Sequence, residues 1–121
     1  MINRDYDDKN IFAKILSKEV KANIVYENEH ILCFKDVFPK APLHILIIPK
    51  GKFTDIYDFS NNASIEQKAA IFEGFENIIK KLELNPNGCR IITNYGKHGR
   101  QEVPHLHFHL LGGDDIGPMI T

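Results

Sequence analysis

Apolar residues recur along this chain with two periods, and the switches between them mark out its elements. Ile11, Phe12, Ile15 and Leu16 return at helical spacing behind Asn10, whose side chain can cap a helix start, so a short amino-terminal helix is predicted. Ile24 to Tyr26 and Ile31 to Val37 read as β runs, and the polar Glu27-Asn28-Glu29-His30 between them suits a hairpin loop. Pro39 and Pro42 cannot donate to a ladder, which bars Phe38 to Pro42 from a central strand. His44 to Ile48 then resumes a strongly apolar β run that ends at Pro49-Lys50-Gly51.

Ser64 followed by Gln67 is a capping-box pair. Behind it Ile65, Ala69, Phe72, Phe75, Ile79 and Leu82 trace an apolar stripe, which predicts one long helix over 64–82. Gly74 inside that helix costs about 1 kcal/mol relative to alanine. Ile71, Ile78 and Leu82 widen the stripe beyond one sheet face, which suggests a second packing partner. Asn85-Pro86-Asn87-Gly88 is a turn, Cys89 to Thr93 a further β run and Gly96 to Arg100 a loop. His105 to Leu111 is a fifth strand that Gly112-Gly113 stops. This order predicts an α+β fold class: a five-stranded, mainly antiparallel sheet with one long helix and one short N-terminal helix.

The 121 residues suffice for a single domain, 1–121, with its core over 10–113 between a short polar N-terminal leader and a C-terminal tail. Hydrophobic residues make up 43% and charged ones 26%, a globular balance that excludes whole-chain disorder. A net charge of −1 lacks the basic excess that draws a protein to a nucleic-acid backbone, so no nucleic acid partner is expected. No apolar stretch approaches the ~20 residues of a membrane-spanning helix, and MINRDYDDKN lacks the apolar centre of an export signal. The expectation is a soluble, cytoplasmic protein with no membrane partner. Cys33 and Cys89 lie in apolar β runs as buried thiols, and without a C-x-x-C pair the commonest structural zinc sites are excluded.

Chemistry concentrates in Pro104-His105-Leu106-His107-Phe108-His109-Leu110-Leu111. On a strand, alternate side chains share a face, so the three imidazoles line one side while Leu106, Phe108 and Leu110 enter the core. A single histidine here would be an ordinary structural residue, but three in a row must each find a polar partner. A metal could draw on two neighbours roughly 6.7 Å apart along the strand, with His44 as supplement. Nucleophilic catalysis at phosphorus uses the row better, because a neutral imidazole attacks well near pH 7 and its phosphoryl adduct is labile to water. His107, in the middle, is the natural nucleophile, with His105 and His109 in support. A bond from one of its nitrogens to a backbone carbonyl would fix the tautomer and free the other nitrogen.

With these residues the chain resembles the histidine triad (HIT) superfamily, whose His-apolar-His-apolar-His-apolar-apolar signature His105 to Leu111 matches without a gap. Asn10-Ile11-Phe12, Phe34 to Val37, Pro39 to His44, Ile48 to Lys50, Asn94, Gly99 to Gln101 and Gly112-Gly113 are similar to the nucleotide-binding (HINT) branch. The resemblance implies a HIT-like fold and a purine nucleoside phosphoramidase or nucleotidyl hydrolase. Such an enzyme cleaves the bond between the α-phosphate of AMP or GMP and an amine through a nucleotidyl-histidine intermediate. It implies His107 as nucleophile, His105 and His44 as buttresses and His109 on the phosphate. Asp36 falls on the ribose hydroxyls, Asn94, Gln101, Glu102 and Val103 along the nucleotide, and Ile11, Phe12, Phe34 and Val37 in the base slot. It also implies no metal or other cofactor, and a homodimer that pairs long helices and edge strands.

Glu102 departs from the eukaryotic-type pattern, which carries serine directly after the glutamine. An ionised carboxylate there repels an anionic leaving group and attracts a protonated amine, which predicts a preference for amine leaving groups. Glu102 turned to solvent would do neither. Lys97, Arg100, His98 and His30 are expected at the surface. Two rival readings stay open: a nucleotide-binding scaffold or sensor in which His107 is dispensable, and a metal-dependent enzyme built on the histidine strand.

Overall fold

The computed structural model describes residues 6–120, so the first part of the leader and Thr121 lie outside the described residues. Asn10 caps α1 (Ile11–Leu16) through its side chain, which accepts from the Ala13 amide at 2.9 Å. β1 (Ile24–Glu27), β2 (Ile31–Lys35) and β3 (Leu43–Pro49) follow. Next come α2 (Ile56–Asn62), α3 (Ile65–Lys81), β4 (Arg90–Ile92) and β5 (Phe108–Gly112). The strands form one five-stranded sheet in the order β1-β2-β3-β5-β4, with every neighbouring pair antiparallel. The predicted α+β architecture holds. The capping box of α3 is complete, with Ser64 and Gln67 each accepting from the other's backbone amide.

Residues 31–34 of β2 and 45–48 of β3 are apolar without a break because both faces of the sheet are covered. Ile31, Cys33, Ile45, Ile47 and Leu110 join Ile71 and Ile78 of α3 in one core, while Leu32, Phe34, Leu46 and Ile48 meet Phe12 of α1 in another. Gly74 explains itself here: a Cβ at that position would lie 2.3 Å from Ile31 Cδ1, so the helix approaches β2 only because the side chain is missing. Burial pushes the Cys33 thiol up to about 12, which makes it an inert core residue.

Three expectations are corrected. α2 adds a third helix; its two turns bury little more than Phe59, too few positions for a periodic stripe, although Asp55 capping the Asp58 amide at 2.8 Å is a start signal present in the sequence. The fifth strand begins at Phe108 and not at His105. Antiparallel pairing ends at Ile47 opposite Phe108, because Pro49 has no amide to donate and its carbonyl is taken by the His105 ring at 2.9 Å. Finally, Ile71 and Ile78 belong wholly to this chain's own core, and the apolar surface left on α3 is Ile65 and Phe72. No helix among the described residues is long and apolar enough to cross a membrane.

Candidate active site

The sheet face that carries α1 opens into a cavity of about 830 Å³. Its lining includes His44, His107 and His109, the acidic residues Asp36 and Glu102, Asn94, and the apolar Ile11, Phe12, Phe34, Val37 and Val103. Strand parity explains the gathering. Asp36 continues β2, His44 opens β3 and His109 sits in β5; His44 pairs with Leu111 and His109 with Leu46, so the two imidazoles are diagonal neighbours on one face. Leu106, Phe108 and Leu110 enter the opposite core, as the alternation predicts. A second cavity of about 620 Å³, beside Leu84, Cys89, Arg90 and Asp115, is lined by none of the histidines.

Hydrogen bonds define the tautomer of each buried ring. His107 Nδ1 lies 2.7 Å from the carbonyl oxygen of His105; a carbonyl only accepts, so Nδ1 carries the proton and Nε2 keeps its lone pair. The Thr93 hydroxyl donates to the His107 carbonyl at 2.8 Å, and Phe12 meets the ring edge-to-face at 4.8 Å, which hold backbone and ring in place. The Lys40 amide donates to His44 Nδ1 at 3.0 Å, so the His44 proton sits on Nε2. That Nε2 lies 2.9 Å from His109 Nδ1 and 3.3 Å from an Asp36 carboxylate oxygen. His109 Nδ1 therefore accepts, and its Nε2–H remains as a donor. A lone pair on His107 and an N–H on His109 thus stand side by side, with ring centroids 5.1 Å apart.

Charge is kept off this row. Burial lowers the pKa of His107, against the opposing pull of its bond to the His105 carbonyl and of Asp36 and Glu102. Burial first, then His107 and His44 nearby, bring His109 down to about 4. Burial likewise brings His105 to about 4, and it also lowers His44. At pH 7 these shifts favour the neutral form of all four rings.

Asp36, His44 and His109 offer ligand atoms within 4.8 Å of one another, the one such group among the described residues. An ion there would need Nε2 of His44 without its proton. The proton would then move to Nδ1 and face the Lys40 amide, so the hydrogen-bond pattern opposes a metal.

Of the residues expected at the site, His105 is fully buried behind the cavity and does not line it. Gln101 serves the loop: its amide nitrogen donates to the carbonyls of Thr54 at 2.7 Å and Val103 at 2.9 Å, and its oxygen accepts from the Gly96 amide at 3.3 Å. Val37 is 80% exposed at the cavity mouth, where Phe38 stands exposed beside it. Glu102 is exposed and is among the residues that line the cavity. Arg100 joins the lining in a left-handed backbone conformation, φ 58°. Lys35, at the end of β2, and Lys40, in the loop before β3, also reach the cavity; the local pattern gave no hint of them, because lysines at strand ends and in loops are usually solvated.

A sheet of this order with a triad so placed defines a histidine triad protein, and the comparisons agree. The HIT domain model matches residues 17–116, and the chain belongs to the HIT family. An uncharacterized HIT-like protein of Azospirillum brasilense is 43% identical over 118 residues, covering 98% of this chain and 97% of that protein. The purine nucleoside phosphoramidase of Escherichia coli K12 is 38% identical over 117 residues, 94% of this chain and 95% of that enzyme. Among solved structures, a HIT family hydrolase from Clostridium thermocellum superposes with a TM-score of 0.85 at 37% identity, covering 94% and 98% of the two chains.

The lowered histidine pKa values carry a pH prediction. Rings that titrate near 4 when folded and near 6.5 when unfolded make the unfolded chain bind more protons between those values. Their contribution to stability is complete above about pH 6.5 and is lost as pH falls toward about 4. Urea midpoints measured across this window should decrease as pH is lowered from about 6.5 to about 4, and the slope should shrink in a His105→Asn variant.

Proposed function

We propose that this chain hydrolyses the P–N bond of purine nucleoside 5′-phosphoramidates of the AMP-amine type through a nucleotidyl group on His107. The observation that carries the reading is the 2.7 Å bond from His107 Nδ1 to the His105 carbonyl, which leaves Nε2 unprotonated beside an N–H donor in an apolar-walled cavity. Nε2 attacks the α-phosphorus and the P–N bond breaks. The amine departs with a proton taken from solvent, helped by the carboxylate of Glu102. Water then attacks the same phosphorus, releasing the nucleoside monophosphate and restoring the ring. His109 Nε2–H donates to a phosphate oxygen in both steps and stays neutral.

Asp36 binds the ribose in this reading. One of its oxygens takes the Phe38 amide at 2.8 Å and the other faces His44, which fixes the carboxylate while leaving lone pairs for two hydroxyls. Asn94 supplies a neutral donor near the phosphate. Ile11, Phe12, Phe34, Val37 and Val103 enclose the base by stacking, which suits either purine, AMP or GMP alike. The similarity to a purine nucleoside phosphoramidase at 38% identity supports the same substrate class. No cofactor takes part, and the cytoplasm is the expected setting.

We also infer a homodimer. α3 leaves Phe72 72% exposed, and β4 is an edge strand whose middle residue, Ile91, is exposed, so a second copy could cover both. A monomeric mass in light scattering would overturn the pairing alone.

Two variants test the chemistry. His107→Gly should lose at least about 10³-fold in turnover of an adenosine 5′-phosphoramidate while still binding AMP, and EDTA should leave the parent unchanged. Purine binding without turnover by the parent would leave a nucleotide-binding scaffold instead. Glu102→Ser should lower the ratio of amidate to anhydride turnover; an unchanged ratio removes the carboxylate from leaving-group selection.

A further inference from the structure

The His105 carbonyl that orients His107 belongs to a residue itself suspended by two side-chain bonds. His105 is fully buried, with Nε2 2.9 Å from the Pro49 carbonyl and Nδ1 2.5 Å from the Tyr6 hydroxyl. The carbonyl can only accept, so Nε2 carries the proton, Nδ1 is the acceptor, and the Tyr6 hydroxyl donates to it. Burial raises the phenol above its ordinary pKa, which keeps that proton in place.

Tyr6 comes from the leader that the sequence reads as merely polar, and it is fastened there. Its ring meets His105 edge-to-face at 5.6 Å, the Lys52 ammonium lies 5.9 Å from its centroid, and Lys52 pairs with Asp8 at 2.9 Å. Four residues on, Asn10 caps α1, which brings Phe12 against His107. Tyr6 to Asn10 is thus a strap between the helix of the base slot and the back of the triad.

We propose that Tyr6 is a positioning residue for the nucleotidyl transfer: its hydroxyl holds His105 in the one tautomer and rotamer whose backbone carbonyl fixes the His107 proton on Nδ1. The proposal rests on the role given to His107 above. Without the hydroxyl, His105 Nδ1 is a buried acceptor with no partner, a state costly enough that the ring turns or changes tautomer. Either response releases the Pro49 bond and moves the carbonyl. His107 then populates the Nε2–H form, which has no lone pair to present to phosphorus.

The test is Tyr6→Phe, which removes one oxygen and keeps the ring. With an adenosine 5′-phosphoramidate, kcat should fall about tenfold or more while KM stays within about twofold, because the cavity walls are untouched. In histidine-¹⁵N-labelled protein, the two-bond ¹H–¹⁵N correlations should show His107 as a single Nδ1–H tautomer in the parent and a mixture in the variant. An unchanged kcat, or a His107 that stays wholly Nδ1–H in the variant, overturns the proposal. So does a parent spectrum with the His105 proton on Nδ1, a result that needs no variant to fold. The spectra require no turnover, so failure of the parent to hydrolyse the amidate would strike the proposed reaction and leave the role of Tyr6 separately decided.

Discussion

One hydrogen bond governs the chemistry of this chain: the Nδ1–H of His107 against the carbonyl of His105, two residues back in the same segment. A free imidazole divides its proton between two nitrogens and takes up a second near pH 6.5. Here a backbone acceptor settles the first question and burial the second. The remaining rings form two further chains with the same logic. Lys40 donates to His44 and His44 to His109, while Tyr6 donates to His105 and His105 to Pro49. Each chain starts at a group that can only donate or ends at one that can only accept, so the proton positions follow without any charge in the row.

The architecture makes that possible by interrupting its own sheet. β5 pairs with β3 only from Phe108 onward, and the two residues that matter most, His105 and His107, lie just before the pairing starts. Pro49 is the reason, since it withholds the amide a ladder would need and lends its carbonyl to an imidazole. Backbone groups that a continuous strand would have spent on pairing are available to orient side chains. The core behind is undisturbed, because Leu106 keeps the alternation that Phe108 and Leu110 continue.

Both sheet faces are covered, but unequally. α3 seals one with a continuous apolar layer, close enough at Gly74 to exclude any side chain. α1 has six residues and covers only part of the other, so the uncovered remainder is the cavity. A short helix over a broad sheet thus yields apolar walls for a base and a histidine-lined floor in one enclosure.

The sequence by itself determined the order of strands and the long helix, because periods of two and of 3.6 were clean and Ser64 and Gln67 marked a start. It also determined that three imidazoles share a face, since parity on an extended segment is a local property, and the resemblance carried by those residues pointed to the family. Only the tertiary structure decided where the protons sit, because Pro49, Tyr6 and Lys40 lie 56, 99 and 4 positions from the rings they bond. It alone revealed α2, too short for periodicity, and assigned Ile71 and Ile78 to the chain's own core, since a helix stripe does not say what covers it. Gln101 and Glu102 are adjacent, yet one ties down a loop and the other faces the cavity, a division that depends on what the fold brings opposite each.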